Sequence, residues 1–395
     1  MSGDPVGEAL LARIYEDPED EAARLVFIDH LLERGDPRGE FLLLSDRLAI
    51  RSGEPGALDG RELARMNALR AEHEDRWLGP IAPVTTRASR RYFRGFLDAC
   101  EIAASEADDL GTAIGRPEWS TVTRLERGGR CRPIDLAALI LDTRMPILRS
   151  VGPLDPSATA LLARDATPRP VAELSLFVLR APAEGVVPPA LVAAFSGEAP
   201  GLPALRRLFF GYPRAQGTRA STGFDPRAFG WLFASTVGRR LETLGVAIDE
   251  HPIDVWYMLL EQASGAALRE LILLPSAAVG SPGRILGHAD GEVVTLGSDP
   301  GAPPLSRLTV SGAGPDARTL VRALALLPDD ALVHVDLHRV RGPSRRLGVL
   351  LEVLERQRRL EELVVEDASY ESWGDDRPAR MLPELAARGV RVRRV

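Results

Sequence analysis

The spacing of apolar residues divides the chain into a helical opening and a longer repetitive part. Leu25, Ile28, Leu31 and Leu32 follow the i, i+3, i+4 rhythm of one helix face. Asp17-Pro18-Glu19-Asp20 puts a capping carboxylate before a proline and acids in the first turn, and Gly35 supplies a stop. Asp36-Pro37 repeats the start signal, with Phe41, Leu44 and Leu48 on one face. A third helix is predicted over 61–77 from Leu63, Met66, Leu69 and Trp77. Together these predict a small helical bundle over 5–80, with a polar Gly/Pro loop at 52–60.

After about residue 90 the rhythm changes to apolar-x-x-apolar-x-apolar, followed by turn residues and often a helical stretch. The clearest copies are Leu205-Leu208-Phe210, Leu241-Leu244-Val246, Leu268-Leu271-Leu273, Leu305-Leu308-Val310, Leu332-Val335-Leu337 and Leu360-Leu363-Val365. Ala387-Val390-Val392 is a weak last copy. Val171-Leu174-Leu176 is a fair one, Leu148-Val151 a poor one, and the stretch from Trp119 to Leu125 is ambiguous. The last four begin at 305, 332, 360 and 387, steps of 27, 28 and 27, which is the period of leucine-rich repeats. One short strand and its return cannot bury an apolar face alone, whereas stacked neighbours build a continuous core.

Helical returns are predicted over 225–237, 254–264, 316–327, 344–358 and 378–388, with Asp254, Asp316 and Ser344 as caps. The expected fold class is therefore α/β: a small N-terminal helical bundle over 1–80, then an irregular leucine-rich-repeat solenoid over 81–395 with a parallel curved sheet. The Pro/Gly-rich stretch 275–304 interrupts the period and reads as an insertion or irregular repeat, with Val293-Val294-Leu296 as an extra strand within it. A doubly wound α/β domain is the alternative. Very short strands, none followed by a Gly-rich phosphate loop, weigh against it.

The segments LLARIYEDPEDEAARLVFIDHLLERGDPRGEFLLL, LRAEHEDRWLGPI and FRGFLDACEI carry a resemblance. Together they resemble the repeat-companion domain that opens many leucine-rich-repeat-like proteins of large-genome bacteria. The likeness covers roughly the first hundred residues, and GDPRGE at 35–40 is its most specific part. The family pattern has Ala-Asp-Trp where this chain has Ile28-Asp29-His30, so the acid is kept and the tryptophan is not. The resemblance implies an architecture and no transferable activity, and GDPRGE itself reads as helix capping.

Composition narrows the function classes. No run of eighteen apolar residues occurs, so no membrane span is expected. The start, MSGDPVGEALLARIYEDPEDE, has no basic segment leading into an apolar run, so no secretory signal is expected. Cys100 and Cys131 are too few for a disulfide framework or a cysteine-built zinc site, and read as reduced thiols of a cytoplasmic protein. The net charge of −7, concentrated in residues 1–80 where 18 acids face 10 arginines, argues against nucleic acid as a partner. No lysine occurs in the 395 residues. A GC-rich codon bias explains this. Avoidance of the ε-amine that acylation or ubiquitin-type conjugation would attack is the sharper alternative.

No dinucleotide, P-loop, zinc-protease, nucleophile-elbow or kinase signature stands in a strand–turn–helix context. GSPGRILG at 280–287 lacks the lysine and hydroxyl of a phosphate loop. His334-Val335-Asp336-Leu337-His338 is the one histidine cluster. Residues two apart in a strand share a face, so His334, Asp336 and His338 oppose the inward Val335 and Leu337. Arg307 and Thr309 from one neighbouring strand, and Glu362, Val364 and Glu366 from the other, join them. Such a set could ligate zinc, but it fits contact with a partner protein better. Phe209, Ile272 and Leu274 share that face and are apolar, so they form either an interface centre or a surface covered by 275–304. The chain thus reads as a non-catalytic protein-binding scaffold or adaptor without a cofactor. The alternatives are an adaptor in a bacterial ubiquitin-like conjugation or proteolytic defence system, and a metal-dependent hydrolase at His334. The arginine-rich last strand (Arg391, Arg393, Arg394) offers a sheet edge for further association.

Overall fold

The computed structural model describes residues 4–50, 58–103, 110–177, 189–211, 230–248, 268–275, 293–297, 307–311, 329, 331–337, 354–365 and 377–394. It is an α/β protein with a mostly parallel sheet. Two compact units divide the chain, Met1–Ala172 with Pro200–Ala204 and Glu173–Ala199 with Leu205–Val395. This division does not fall at the expected 80/81 boundary.

The first unit opens with α1 (Pro5–Glu16), α2 (Glu21–Glu33), α3 (Pro37–Ile50) and α4 (Gly60–Leu78). Helix α2 starts three residues later than the Asp17-Pro18 signal suggests. Asp17 terminates α1, and it is Asp20 whose carboxylate accepts the Ala23 N–H at 2.9 Å. The buried stripe of α2 is Ala23, Phe27, Ile28 and Leu31, while Leu25 and Leu32 are exposed. The large Phe27 ring turns the helix towards the core shared with Ile14, Leu42 and Phe96.

Each residue of the GDPRGE turn has a structural task. Gly35, at φ +68°, closes α2 in a Schellman motif, with Asp36 N–H donating to the Leu31 carbonyl and Gly35 N–H to that of Leu32. The Asp36 carboxylate accepts the Arg38 N–H at 2.9 Å, and Pro37 is the first residue of α3. The Arg38 guanidinium lies 5.7 Å from both the Phe27 and the Phe96 ring centroids. Gly39 packs against the Leu31–Leu32 backbone, and Glu40 takes a two-pronged bond from Arg65 of α4 at 2.9 and 2.6 Å. Helix α4 carries a complete capping box between Asp59 and Glu62.

Strands β1 (Arg91–Phe93) and β2 (Phe96–Ile102) form an antiparallel hairpin. Its two-residue loop, Arg94-Gly95, has positive φ at both positions (50° and 81°), as the twist of a two-residue hairpin demands. A side chain on Gly95 would also run into Leu42 of α3. Gly95→Ala is therefore expected to cost about 1–3 kcal/mol, read as a lower midpoint in urea.

Parallel to β2 follow β3 (Arg124–Arg127) and, after α5 (Pro133–Leu141), β4 (Ser150–Leu154). The registers Cys100–Leu125–Val151 show parallel strands where the apolar pattern is weak. Helix α6 (Pro156–Arg164) completes the described helices of this unit.

In the second unit come β5 (Glu173–Phe177), α7 (Pro189–Ser196), β6 (Arg207–Gly211), α8 (Gly230–Ala234), α9 (Thr236–Arg240), β7 (Thr243–Ile248) and β8 (Glu270–Pro275). Then come β9 (Val293–Gly297), β10 (Arg307–Ser311), β11 (His334–Leu337), β12 (Glu362–Val365), α10 (Arg377–Ala387) and β13 (Arg391–Arg394). Strands β5 to β8 pair parallel in chain order, as do β10 to β13. The extra strand expected within 275–304 is β9, but it runs antiparallel to both β8 and β10. The sheet is thus not parallel throughout.

The first apolar residue of each motif stands two positions ahead of its strand. Leu205, Leu241, Leu268, Leu332 and Leu360 are all buried in those lead-ins, and Leu305 lies outside the described residues. The predicted helices at 254–264 and 316–327 lie outside them as well. Those at 225–237, 344–358 and 378–388 are met in part by α8 and α9, by residues 354–356 and by α10. Among the described residues no helix is long and apolar enough to cross a membrane.

Candidate functional site

Cross-strand pairing turns scattered sequence positions into rows. Val335, Leu363 and Val365 are buried at 1% exposure or less, so the alternate residues of β11 and β12 face the other side of the sheet. Register then aligns Arg307, His334, Glu362 and Arg391 across β10 to β13. Two positions on, Thr309, Asp336, Val364 and Arg393 form a second row. Arg307, Arg391 and Arg393 are exposed, and His334, Asp336, Glu362 and Val364 are half-buried. Arg393 reaches across to Glu362 at 3.5 Å.

The last strand is displaced from the weak motif read in the sequence. Leu363 faces Val392, not Val390, a slip of two residues that keeps every side chain on its expected face. Helix α10 sets this register. It ends in a second Schellman motif, with Gly389 at φ +89° and the Val390 N–H donating to the Leu385 carbonyl at 3.0 Å.

The same face of β5 to β8 has a different character. Its first row is Glu173, Arg207, Thr243 and Glu270 and its second is Ser175, Phe209, Gly245 and Ile272. Arg207 lies 3.2 Å from Glu173 and 3.9 Å from Glu270, and the Thr243 hydroxyl donates to Glu270 at 3.0 Å. Phe209 and Ile272 are 3% and 1% exposed. Of the two readings these residues allowed, burial within the chain is the one observed, and both leave the candidate contact set. For Phe209 the physical reason is Gly245 beside it: the ring lies where a Gly245 side chain would stand, with the Arg207 guanidinium 5.8 Å from its centroid. The side chain of Leu274 lies outside the described residues.

The candidate face therefore narrows to β10–β13. His338 and Glu366, expected to extend it, lie outside the described residues, and Thr309 is placed by its backbone register alone. Among the described residues no group of three His, Cys, Asp or Glu side chains is placed to hold a metal ion.

The two thiols are buried. Burial pushes the Cys100 thiol far up, and burial followed by the Asp135 charge pushes Cys131 up to about 11. Neither is expected to react with iodoacetamide in the native protein at pH 8, and both should react after denaturation, as mass spectrometry would show.

A second polar cluster escaped the sequence reading because its residues look like surface charges. Glu74 of α4 and Arg90 are 2% and 3% exposed and meet at 3.0 Å. Arg90 spends its remaining donors on Thr85 Oγ1, the Ala82 carbonyl and Asp75. Arg87 and the Tyr92 hydroxyl complete the shell around Glu74. Glu74 stands three residues before Trp77 and four before the buried Leu78, on the inward rhythm of α4, which was the one available sign. Its partners hold α4 to the segment entering β1, so the cluster is structural.

No protein-family model matches the chain, and no curated protein matches it.

Proposed function

We propose that the chain is a non-catalytic protein-binding scaffold, a leucine-rich-repeat-like solenoid behind a small helical bundle, whose contact surface is the polar face of β10–β13. The observation that carries this reading is the pair of rows Arg307, His334, Glu362, Arg391 and Thr309, Asp336, Val364, Arg393. They combine both charge signs, a histidine and a valine on one side of the sheet, with the apolar core on the other. Mixed charges on a face that need not be polar for folding are a means of choosing a partner. Affinity capture from the native host with Asp336→Arg and Glu362→Arg, beside the control Glu384→Arg at an exposed position of α10, tests it. Proteins retained by the wild type and the control should be lost from the face variants. Retention by all of them would contradict the assignment.

A second reading, an adaptor beside a ubiquitin-like conjugation system, draws on the absence of lysine. Arg356 and Arg358 are exposed, so replacing either by lysine should leave folding intact. On this reading the variant gains mass by conjugation when expressed with its genomic neighbours. An unmodified mass leaves codon bias as the explanation.

A further inference from the structure

The geometry points to the outer edge of β13 as a docking site for an acidic β-strand of another protein. The site adds a second surface and a partner chemistry to the scaffold reading, on which it rests only in taking the partner to be a protein. Arg391 donates its backbone N–H inward to the Glu361 carbonyl at 2.8 Å. By the alternation of a parallel ladder, Val392 and Arg394 then turn their N–H and C=O groups outward. No strand among the described residues pairs with that side.

Charge decides which strand would fit. Along the polar face arginines reach acids on nearby strands: Arg207 lies 3.2 Å from Glu173 on the next strand and 3.9 Å from Glu270 two strands away, and Arg393 reaches back to Glu362 at 3.5 Å. Arg391 pairs in register with Glu362 on its inner side and is exposed, as is Arg393. A further strand that placed acids opposite both arginines would give each a partner on its open side. A second copy of this chain does not supply them. Its β13 would bring arginines against arginines, and its β1 edge brings the exposed Arg91. Like charges directly opposite each other disfavour pairing, so the arginines that guard the edge against self-association select an acidic strand.

The test uses a fluorescent nine-residue peptide alternating Thr and Glu, titrated into the full chain at low salt and followed by anisotropy. Saturable binding is expected. It should weaken about tenfold or more when Gln replaces Glu, and similarly when a central Pro removes a ladder donor. The variant Arg391→Ser with Arg393→Ser, its melting checked against wild type, should abolish binding, while Asp336→Asn should retain it. Absence of saturable binding overturns the proposal. So does binding indifferent to the proline, which marks a non-strand electrostatic contact. Binding lost in Asp336→Asn but kept in the arginine variant moves docking from the edge to the face, which sinks the edge proposal and leaves the scaffold reading standing.

Discussion

Glu74→Ala is expected to destabilise the first unit by about 3 kcal/mol, because it removes the buried carboxylate beside the Arg90 guanidinium and leaves it only the exposed Asp75. A loss of that size lowers Tm by on the order of 10 °C for a unit of this length. Three donors converge on Glu74, from Arg87, Arg90 and Tyr92, so the substitution also takes the acceptor from the Tyr92 phenol, while the exposed Arg87 keeps the Ala71 carbonyl and water. The double change Glu74→Leu with Arg90→Met should be milder than Glu74→Ala alone, since replacing both members of a buried pair removes the desolvation cost of each. Thermal melts of the single and double variants check this. If Glu74→Ala melts like the wild type, the pair is not buried as described.

Leu363→Ala should cost about 2–5 kcal/mol, the range for a leucine truncated in a packed core. Leu363 is fully buried on β12 and stands in register with Val335 and Val392. Its neighbour Val364 lies on the opposite face and is half-buried. Val364→Ala should therefore cost well under the leucine change, about 1 kcal/mol or less. The contrast between adjacent residues reads strand parity directly in urea midpoints. Equal losses would mean that both faces of β12 are packed, and a larger loss at Val364 would reverse the face assignment.

Much of the helix architecture was legible because its signals are local. The Asp36-Pro37 start, the Gly35 stop and the third helix stand where capping chemistry puts them. The buried face of α2 was misread because Leu25 and Leu32 fit the helical rhythm as well as Ala23 and Phe27 do, and only tertiary packing on Phe96 chooses between them. The inward residues of the strands were legible from the apolar spacing: Leu208, Leu244 and Leu271 are buried in one register, as are Val335 and Leu363.

The last strand slipped by two because Val390 and Val392 satisfy the same period-two pattern. The direction of β9 was not legible, since an apolar strand reads alike in either sense. Burial of Phe209 and Ile272 was not legible either. That of Phe209 depends on the missing side chain of Gly245, a neighbour 36 positions away in the chain and directly opposite it in the sheet. The contacts of Gly95 with Leu42 and of Arg90 with Glu74, which tie the helices to the first hairpin, were not legible, since they join residues with no local pattern in common.

Both the contact face and the docking edge depend on Glu362 and Arg391 being directly opposed on adjacent parallel strands. Neighbouring strands lie about 4.8 Å apart, within the Cα separation that a disulfide spans, and the native cysteines are buried. The most direct measurement is the yield of intramolecular disulfide in Glu362→Cys with Arg391→Cys under mild oxidation, beside Glu362→Cys with Gly389→Cys. The described register requires efficient closure of the 362–391 pair and little closure of 362–389. Preferential closure of 362–389 would restore the unslipped register and dissolve the rows on which the contact surface stands.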